Sequence, residues 1–378
     1  MRILHFLKRI KRSFSNSNPL IRVLISKGNL IGNLNEYKRK YPKIGFAPVL
    51  KSNAYGHGLI EIAKILDREE KPFFVADSLF EARILRENDI KSDILIIGYT
   101  SPENMTHSKL PNVAFTLTSL GQLEILSETK HKVKIHIKID TGMHRQGILP
   151  NEIRETIRVI KNNSNIILEG ICSHLADADN QDISFTEEQI KKWNNAVKIF
   201  KENFDGIKYF HLSATSGTKY LEKTDANVAR LGIGLYGAIE ENSLNLKPVL
   251  EMQTIISSVK NISAGQGVGY NLTYKTPKTL MVATVPVGYF EGVDRRLSNC
   301  GFFKIGNNFC PIIGRVSMNI TSIDVTDAGA VKEGDKVVVI SNNPSDKNSV
   351  LNIAKTTSTI PYEILVHIPQ HLKRIVVE

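Results

Sequence analysis

Between Ile44 and Gly237 the chain alternates short β-branched runs with longer amphipathic stretches, and it does so eight times. The runs are Ile44 to Leu50, Pro72 to Ala76, Asp93 to Tyr99, Val113 to Leu117, Lys132 to Ile139, Ile166 to His174, Tyr209 to Leu212, and Val228 to Tyr236. Parallel neighbours need a crossover of a dozen or more residues, and the spacing of about 20 to 40 residues supplies one each time. Eight such units predict a closed (β/α)8 barrel of the TIM type. Ser or Thr followed three residues later by Glu or Gln marks three helix starts, at Ser78 to Glu81, Ser119 to Gln122 and Thr186 to Gln189.

After about Leu246 Gly, Pro and Asn punctuate short alternating runs such as TLMVATVPVGY and DKVVVIS, and long helical periods nearly vanish. This texture predicts a mainly antiparallel β domain, with turns at Gly306 to Asn308 and Asn342 to Pro344. The expected organisation is a basic extension over residues 1–19, the barrel over 20–242 and the β domain over 243–378.

The formal charge of +11 is dispersed, without a compact basic stripe or an RNA-binding aromatic pattern. Nucleic acid is therefore not an expected partner, whereas an anionic small ligand suits the positive potential. Three widely spaced cysteines, Cys172, Cys300 and Cys310, form no Cys-x-x-Cys pair. Neither a zinc site nor a disulfide framework is expected, and a reducing, cytoplasmic compartment is. The longest apolar runs, such as Ile94 to Ile97, fall far short of a membrane span. The first 18 residues carry five cations and no acid, but lack the order and apolar block of a secretory signal.

The segment VLKSNAYGHG places Lys51 at the carboxyl end of the first predicted strand. A rim lysine that snorkels into water is the ordinary alternative. Partly desolvated, its ammonium would lose protons more readily and become an amine nucleophile. In KIDTGMHRQG, Asp140 and Gly142 are turn residues flanked by Lys138 and Arg145; in EGICSHLADAD, His174 ends the sixth strand. ARLGIGLYG contains Gly232, Gly234 and Gly237 in dinucleotide-fingerprint spacing, but no amphipathic helix follows, so that reading fails its context. Barrels do bind phosphate with the loops after strands seven and eight. Amides of Gly232 and Ile233, with the hydroxyls of Ser216 and Tyr55, are candidates for such a site.

Lys51-Ser-Asn-Ala-Tyr55-Gly-His-Gly58 resembles the pyridoxal-phosphate lysine motif of the alanine racemase family. The likeness continues through residues 138 to 147, 169 to 179, 211 to 217, 229 to 237, 265 to 274, 284 to 297, 314 to 319 and 359 to 363. It covers nearly the whole chain after about residue 20. The resemblance implies pyridoxal 5'-phosphate as cofactor and interconversion of L- and D-alanine, with D-alanine destined for peptidoglycan. Lys51 and Tyr270 are then the two catalytic bases, on opposite faces of the substrate carbon. His174 and Arg230 lie in the cofactor-facing chain, Arg230 at the pyridine nitrogen, and Tyr362 joins the phosphate site. Arg145 and the Met318 amide serve the substrate, and Lys138 is a candidate for carbamylation. The family's tyrosine comes from a second subunit, so a head-to-tail homodimer is implied, Tyr289 and Arg295 lying on the same capping surface. Two departures stand out: Asn319 where Asp is usual, and Asn271 where Gly is usual. They keep open a serine or broad-specificity racemase, and a non-catalytic carrier of the cofactor.

Overall fold

The computed structural model describes residues 19–241 and 243–378. The extension 1–19 lies outside the described residues, apart from Pro19. The chain divides into two units, one of residues up to Ile25 together with Leu250–Val377, the other of Ser26–Val249 with Glu378.

The second unit is the expected barrel. After a first strand β1 (Arg22–Ser26), its staves are β2 (Gly45–Pro48), β3 (Phe74–Ala76), β4 (Ile94–Ile96), β5 (Val113–Leu117), β6 (Val133–Lys138), β7 (Ile166–Cys172), β8 (Tyr209–His211) and β9 (Val228–Leu231). Strands β3 to β8 form a continuous parallel sheet, and β2 pairs in parallel with β9. Two joints close the cylinder. Leu50 N–H donates to Val75 O at 2.8 Å, and at the other seam Asn227 and Arg230 donate to Phe210 and Ser213 carbonyls at 3.0 Å. Strands β3, β4, β5 and β9 are buried throughout, as a sheet covered by helices requires.

The crossovers are amphipathic for the usual reason. In Ile153–Lys161, Ile153, Thr156, Ile157 and Ile160 recur on one helical face and are buried. The last crossover, Thr215–Lys223, is a 3-10 segment rather than an α-helix. The helix Lys27–Lys40 packs on the loop after β9, where its buried Asn33 donates to Leu235 O and Lys247 O.

Ser78 and Ser119 cap their helices as expected, accepting from Glu81 N and Gln122 N. Thr186 and Gln189 do not. That helix starts at Ser184, so both residues lie inside it. Gln189 is wholly buried and donates to Thr141 Oγ1 and His174 O while accepting from Ala176 N. The strand read as Val228 to Tyr236 ends at Leu231, because Gly232 and Ile233 carbonyls accept from Leu235 and Tyr236 amides and turn the chain.

In the β unit a six-stranded sheet runs in the order Asn308–Pro311, Phe302–Ile305, Lys336–Ile340, Leu250–Ile255, β1, Arg374–Val377. A three-stranded antiparallel sheet joins Ser258–Ile262, Leu280–Val285 and Thr321–Asp324. The division falls after Val249 rather than after residue 242, and residues 20–25 belong to the β unit. The cause is non-local pairing: Arg22 to Ile25 lie antiparallel to Leu250 to Gln253. Among the described residues no helix is long and apolar enough to cross a membrane.

Candidate active site

At the carboxyl ends of the barrel strands lies a cavity of about 490 Å³. Lys51, Lys138, Arg145, His174 and Arg230 all line it, so five of the residues singled out in the sequence meet at one place. Of the side chains lining it only Asp77 is a carboxylate. A basin with this charge balance favours an anionic ligand.

Lys51 opens an unusual turn. Ser52, Asn53, Ala54 and Tyr55 all have φ between 51 and 56°, one turn of left-handed helix built without glycine. Left-handed backbone costs about 1–2 kcal/mol per residue for L side chains, and such strain persists only where the surroundings impose it. Here they do. Glu81 Oε1 accepts from Ser52 N at 2.7 Å and Asn53 N at 3.4 Å, Asn53 Oδ1 accepts from Leu59 N at 2.9 Å, and Ala54 N donates to Leu50 O at 2.7 Å. Gly56 and Gly58, at φ 79 and 101°, release the chain into the helix Leu59–Leu66.

Lys138 ends β6, and the loop after it is folded back by its own polar groups. Asp140 Oδ1 accepts from Gly142 N and His144 N, while Ile148 N returns to Lys138 O at 2.8 Å. Gly147, at φ 139°, permits this closure, because a Cβ there would stand 2.5 Å from Asp140 N. Arg145 projects from the resulting loop into the cavity. Burial pulls the Lys138 pKa down, and the charges of Arg145 and Arg230 act in the same direction.

Arg230 is buried and anchored on all sides. Its guanidinium donates to the carbonyls of His211, Ser173 and Leu212 at 2.7 to 2.9 Å. It also meets His211 Nδ1 at 2.6 Å and His174 Nδ1 at 3.2 Å. A guanidinium only donates, so both Nδ1 atoms accept. His211 must then carry its proton on Nε2, which lies 2.8 Å from His136 Nδ1 and donates to it. The hydrogen-bond pattern thus sets three imidazoles neutral. Burial, reinforced by the Arg230 charge, pushes His136 and His174 down to about 3 and His211 well below its usual range.

This has a pH signature. These histidines ionise near 6.5 in the unfolded chain but not in the fold, so the unfolded state binds more protons between pH 6.5 and about 3. Their contribution to stability is complete above pH 6.5 and declines as pH falls through that window. Urea unfolding at pH 7 and pH 5 should show the loss, up to about 1.4 kcal/mol per pH unit for each histidine. His136→Asn, which does not ionise, should flatten the slope; an unchanged slope would contradict the assignment.

Tyr55 is buried, its ring 5.4 Å from that of Tyr236. A Cβ built on Gly232 would lie 2.8 Å from the Tyr55 hydroxyl, so it is glycine at 232 that lets that phenol pack against the backbone of this loop. The neighbouring Thr215 Oγ1 accepts from Gly234 N, tying the segment that carries Ser216 to the loop of Gly232 and Ile233. Tyr55, Ser216, Gly232 and Ile233 do not line the cavity of Lys51.

Sequence reasoning passed over Thr116, Cys172 and His211, which also line the cavity. The available signal was their position at or near the ends of predicted strands. Burial raises the Cys172 thiol pKa and keeps it protonated. Glu81 was read only as a helix-start residue.

Tyr270, Met318 and Tyr362 belong to the β unit. Tyr270 is 70% exposed, and Met318 and Tyr362 are exposed as well. Asn271 sits at φ 57°, the left-handed conformation that asparagine tolerates where glycine is usual. Asn319 Nδ2 donates to Glu291 Oε1 at 2.6 Å, and Glu291 Oε2 accepts from Gly288 N. Glu291 is buried, so an amide at 319 gives it a donor that an ionised aspartate lacks. Asn319→Asp is expected to destabilise the protein by roughly 1–3 kcal/mol, the penalty for a buried acceptor left without its partner. The melting temperature should fall more at pH 8 than at pH 5, where a shared proton relieves the pair. An equal shift at both values would exclude carboxylate contact.

The alanine racemase N-terminal domain family matches residues 25–240, and the alanine racemase C-terminal domain family matches residues 249–376. An alanine racemase of Carboxydothermus hydrogenoformans is 35% identical over 358 residues, covering 92% of this chain and 97% of the relative. One from Methanococcus maripaludis is 34% identical over 355 residues, covering 91% and 95%. Among solved structures, alanine racemase of Clostridium difficile superimposes with a TM-score of 0.89 at 29% identity, covering 96% and 97% of the two chains. The Bacillus anthracis enzyme with bound L-Ala-P gives 0.86 at 27%, covering 96% of each. With both domains matched in order and relatives above 30% identity along almost its whole length, this chain belongs to the alanine racemase family.

Proposed function

We propose that this protein interconverts L- and D-alanine with pyridoxal 5'-phosphate, using Lys51 and Tyr270 as opposed bases. The observation that carries the reading is the convergence of Lys51, Lys138, Arg145 and Arg230 on one cavity with a single carboxylate. The residues fit such a cofactor. The buried Thr116 hydroxyl, on the cavity wall, has no hydrogen-bond partner among the described residues, and glycine at 232 lets the Tyr55 hydroxyl lie against the loop backbone.

Lys51 would hold the cofactor covalently; Tyr55, Ser216, the Gly232 and Ile233 amides, and Tyr362 would hold its phosphate. Arg230 would face the pyridine nitrogen, with His174 beside it. Bound pyridoxal phosphate supplies the electron withdrawal that makes an amino acid's α-hydrogen acidic. Arg230 keeps its charge and discourages a proton at the ring nitrogen, so proton handling rests on the side chains at the substrate carbon. Lys51 Nζ serves the D face and Tyr270 Oη the L face, one removing a proton while the other returns one. Arg145 and the Met318 amide orient the substrate carboxylate.

Tyr270 and Met318 stand exposed on the β unit. We assign them to the site of a second subunit in a head-to-tail homodimer. Lys138, its pKa lowered, is suited to carbamylation: the neutral amine adds to carbon dioxide, an N–C bond forms and a proton leaves. Three unpaired cysteines suit the cytoplasm, where D-alanine would be made for peptidoglycan.

The test supplies the dialysed, cofactor-loaded protein with a panel of L-amino acids and resolves the products by chiral chromatography. Formation of D-alanine from L-alanine, faster than D-serine from L-serine, is expected. Cofactor binding without any D-amino acid would identify a carrier. Preferred turnover of serine, or equal turnover of several substrates, would overturn the alanine assignment.

A further inference from the structure

We propose that Glu81 is a positioning residue that clamps the left-handed turn after Lys51 and thereby aims the Lys51 side chain. The inference rests on the reading of Lys51 as the cofactor-bearing base. Glu81 Oε1 takes the amides of Ser52 and Asn53, the two residues that follow Lys51. Its other oxygen, Oε2, takes the amide of Asp77 at 2.8 Å, just past the end of β3. One carboxylate therefore bridges the ends of two adjacent staves, and both Lys51 and Asp77 line the cavity.

Helix capping does not account for this arrangement. In a capping box the third helical residue reaches back to the amide of the cap residue itself. Ser78 caps Glu81 N, but the Glu81 side chain bypasses Ser78 N for Asp77 N and crosses to the neighbouring turn. Its place in the first turn of Leu79–Glu87 also suits a carboxylate, since the helix dipole favours negative charge there. The strained turn makes the clamp matter. Four consecutive residues at positive φ would relax toward ordinary backbone if released, and the peptide that joins Lys51 to Ser52 would then no longer be held from its far side.

A glutamine at 81 keeps one acceptor and sets an amide donor against a backbone N–H; an alanine removes both acceptors. Ser78→Ala is the control, since it uncaps the same helix without touching Ser52 or Asn53. Hydrogen–deuterium exchange by mass spectrometry on residues 50–58 should accelerate at least tenfold in Glu81→Ala, with or without cofactor, less in Glu81→Gln, and not in Ser78→Ala. Racemisation by Glu81→Ala should lose kcat by about 30-fold or more, with KM changed less than threefold and glutamine restoring part of it. Unchanged exchange at 50–58 in both Glu81 variants, or an equal kcat loss in Ser78→Ala, would overturn the clamp. If Glu81→Ala does not fold, Glu81→Gln carries both measurements. Wild-type protein that never binds cofactor at Lys51 would defeat the functional reading instead, while the exchange comparison would still decide the clamp.

Discussion

Lys51→Ala is expected to abolish the visible absorbance of covalently held cofactor and to lower racemisation by at least about 10⁴-fold, the upper range for a positioned acid–base group. On the proposed reading Lys51 combines two tasks, covalent attachment and proton transfer, so one substitution would remove both. The change should leave the fold intact. The turn is held by amides at 52, 53 and 54 and by the Asn53 side chain, none of which belongs to the lysine side chain. Thermal unfolding of the cofactor-free variant should therefore match that of cofactor-free wild type. Retention of the visible band would disqualify Lys51 as the anchor, and no other lysine reading would follow automatically: Lys138, the other lysine in the cavity, stands beside Arg145 and Arg230.

Tyr270→Phe should behave differently. The ring stays and only the proton-bearing oxygen goes, at a position 70% exposed, so stability should change by no more than about 0.5 kcal/mol. Cofactor binding and its absorbance should persist. Turnover should fall about 10² to 10⁴-fold, the usual worth of one general acid–base partner, and α-deuterium loss from L-alanine should suffer most. If the phenol is donated across a twofold dimer, Lys51→Ala and Tyr270→Phe chains complement each other. Each mixed dimer then holds one whole site and one doubly broken site. Random assembly at equal concentrations should restore about one quarter of wild-type activity. No recovery, with mixed dimers demonstrated by mass, would show that Lys51 and Tyr270 of different chains do not share a site.

The barrel was legible because each stave is an apolar, β-branched run whose spacing leaves room for a crossover, and all eight such runs contain a strand. The lysine motif was legible for a related reason: Lys51, Tyr55, Gly56 and Gly58 carry their identity within eight residues. Lys138, Arg145, His174 and Arg230 stand at or just beyond strand ends, and barrel topology sends all strand ends to one face.

Other features depend on groups far apart in the chain. Arg22 to Ile25 look like the start of the barrel domain until they pair with Leu250 to Gln253. Thr186 and Gln189 match a capping pattern, yet Gln189 is drawn into the core by Thr141 and His174. Nothing local marks Ser52 to Tyr55 as left-handed; Glu81, 29 residues beyond Ser52, meets the Ser52 and Asn53 amides. The proton positions on His211 and His136 follow from Arg230, a residue on another strand.

Periodicity and short-range motifs, which act through neighbours in sequence, determined the barrel, the β domain and most of the charged groups of the site. Tertiary structure alone decided where β1 pairs, which hand the turn after Lys51 takes and which nitrogen of each buried imidazole is protonated. Each of those outcomes turns on satisfying a buried backbone or side-chain group, and the partner that satisfies it is chosen only when distant segments meet.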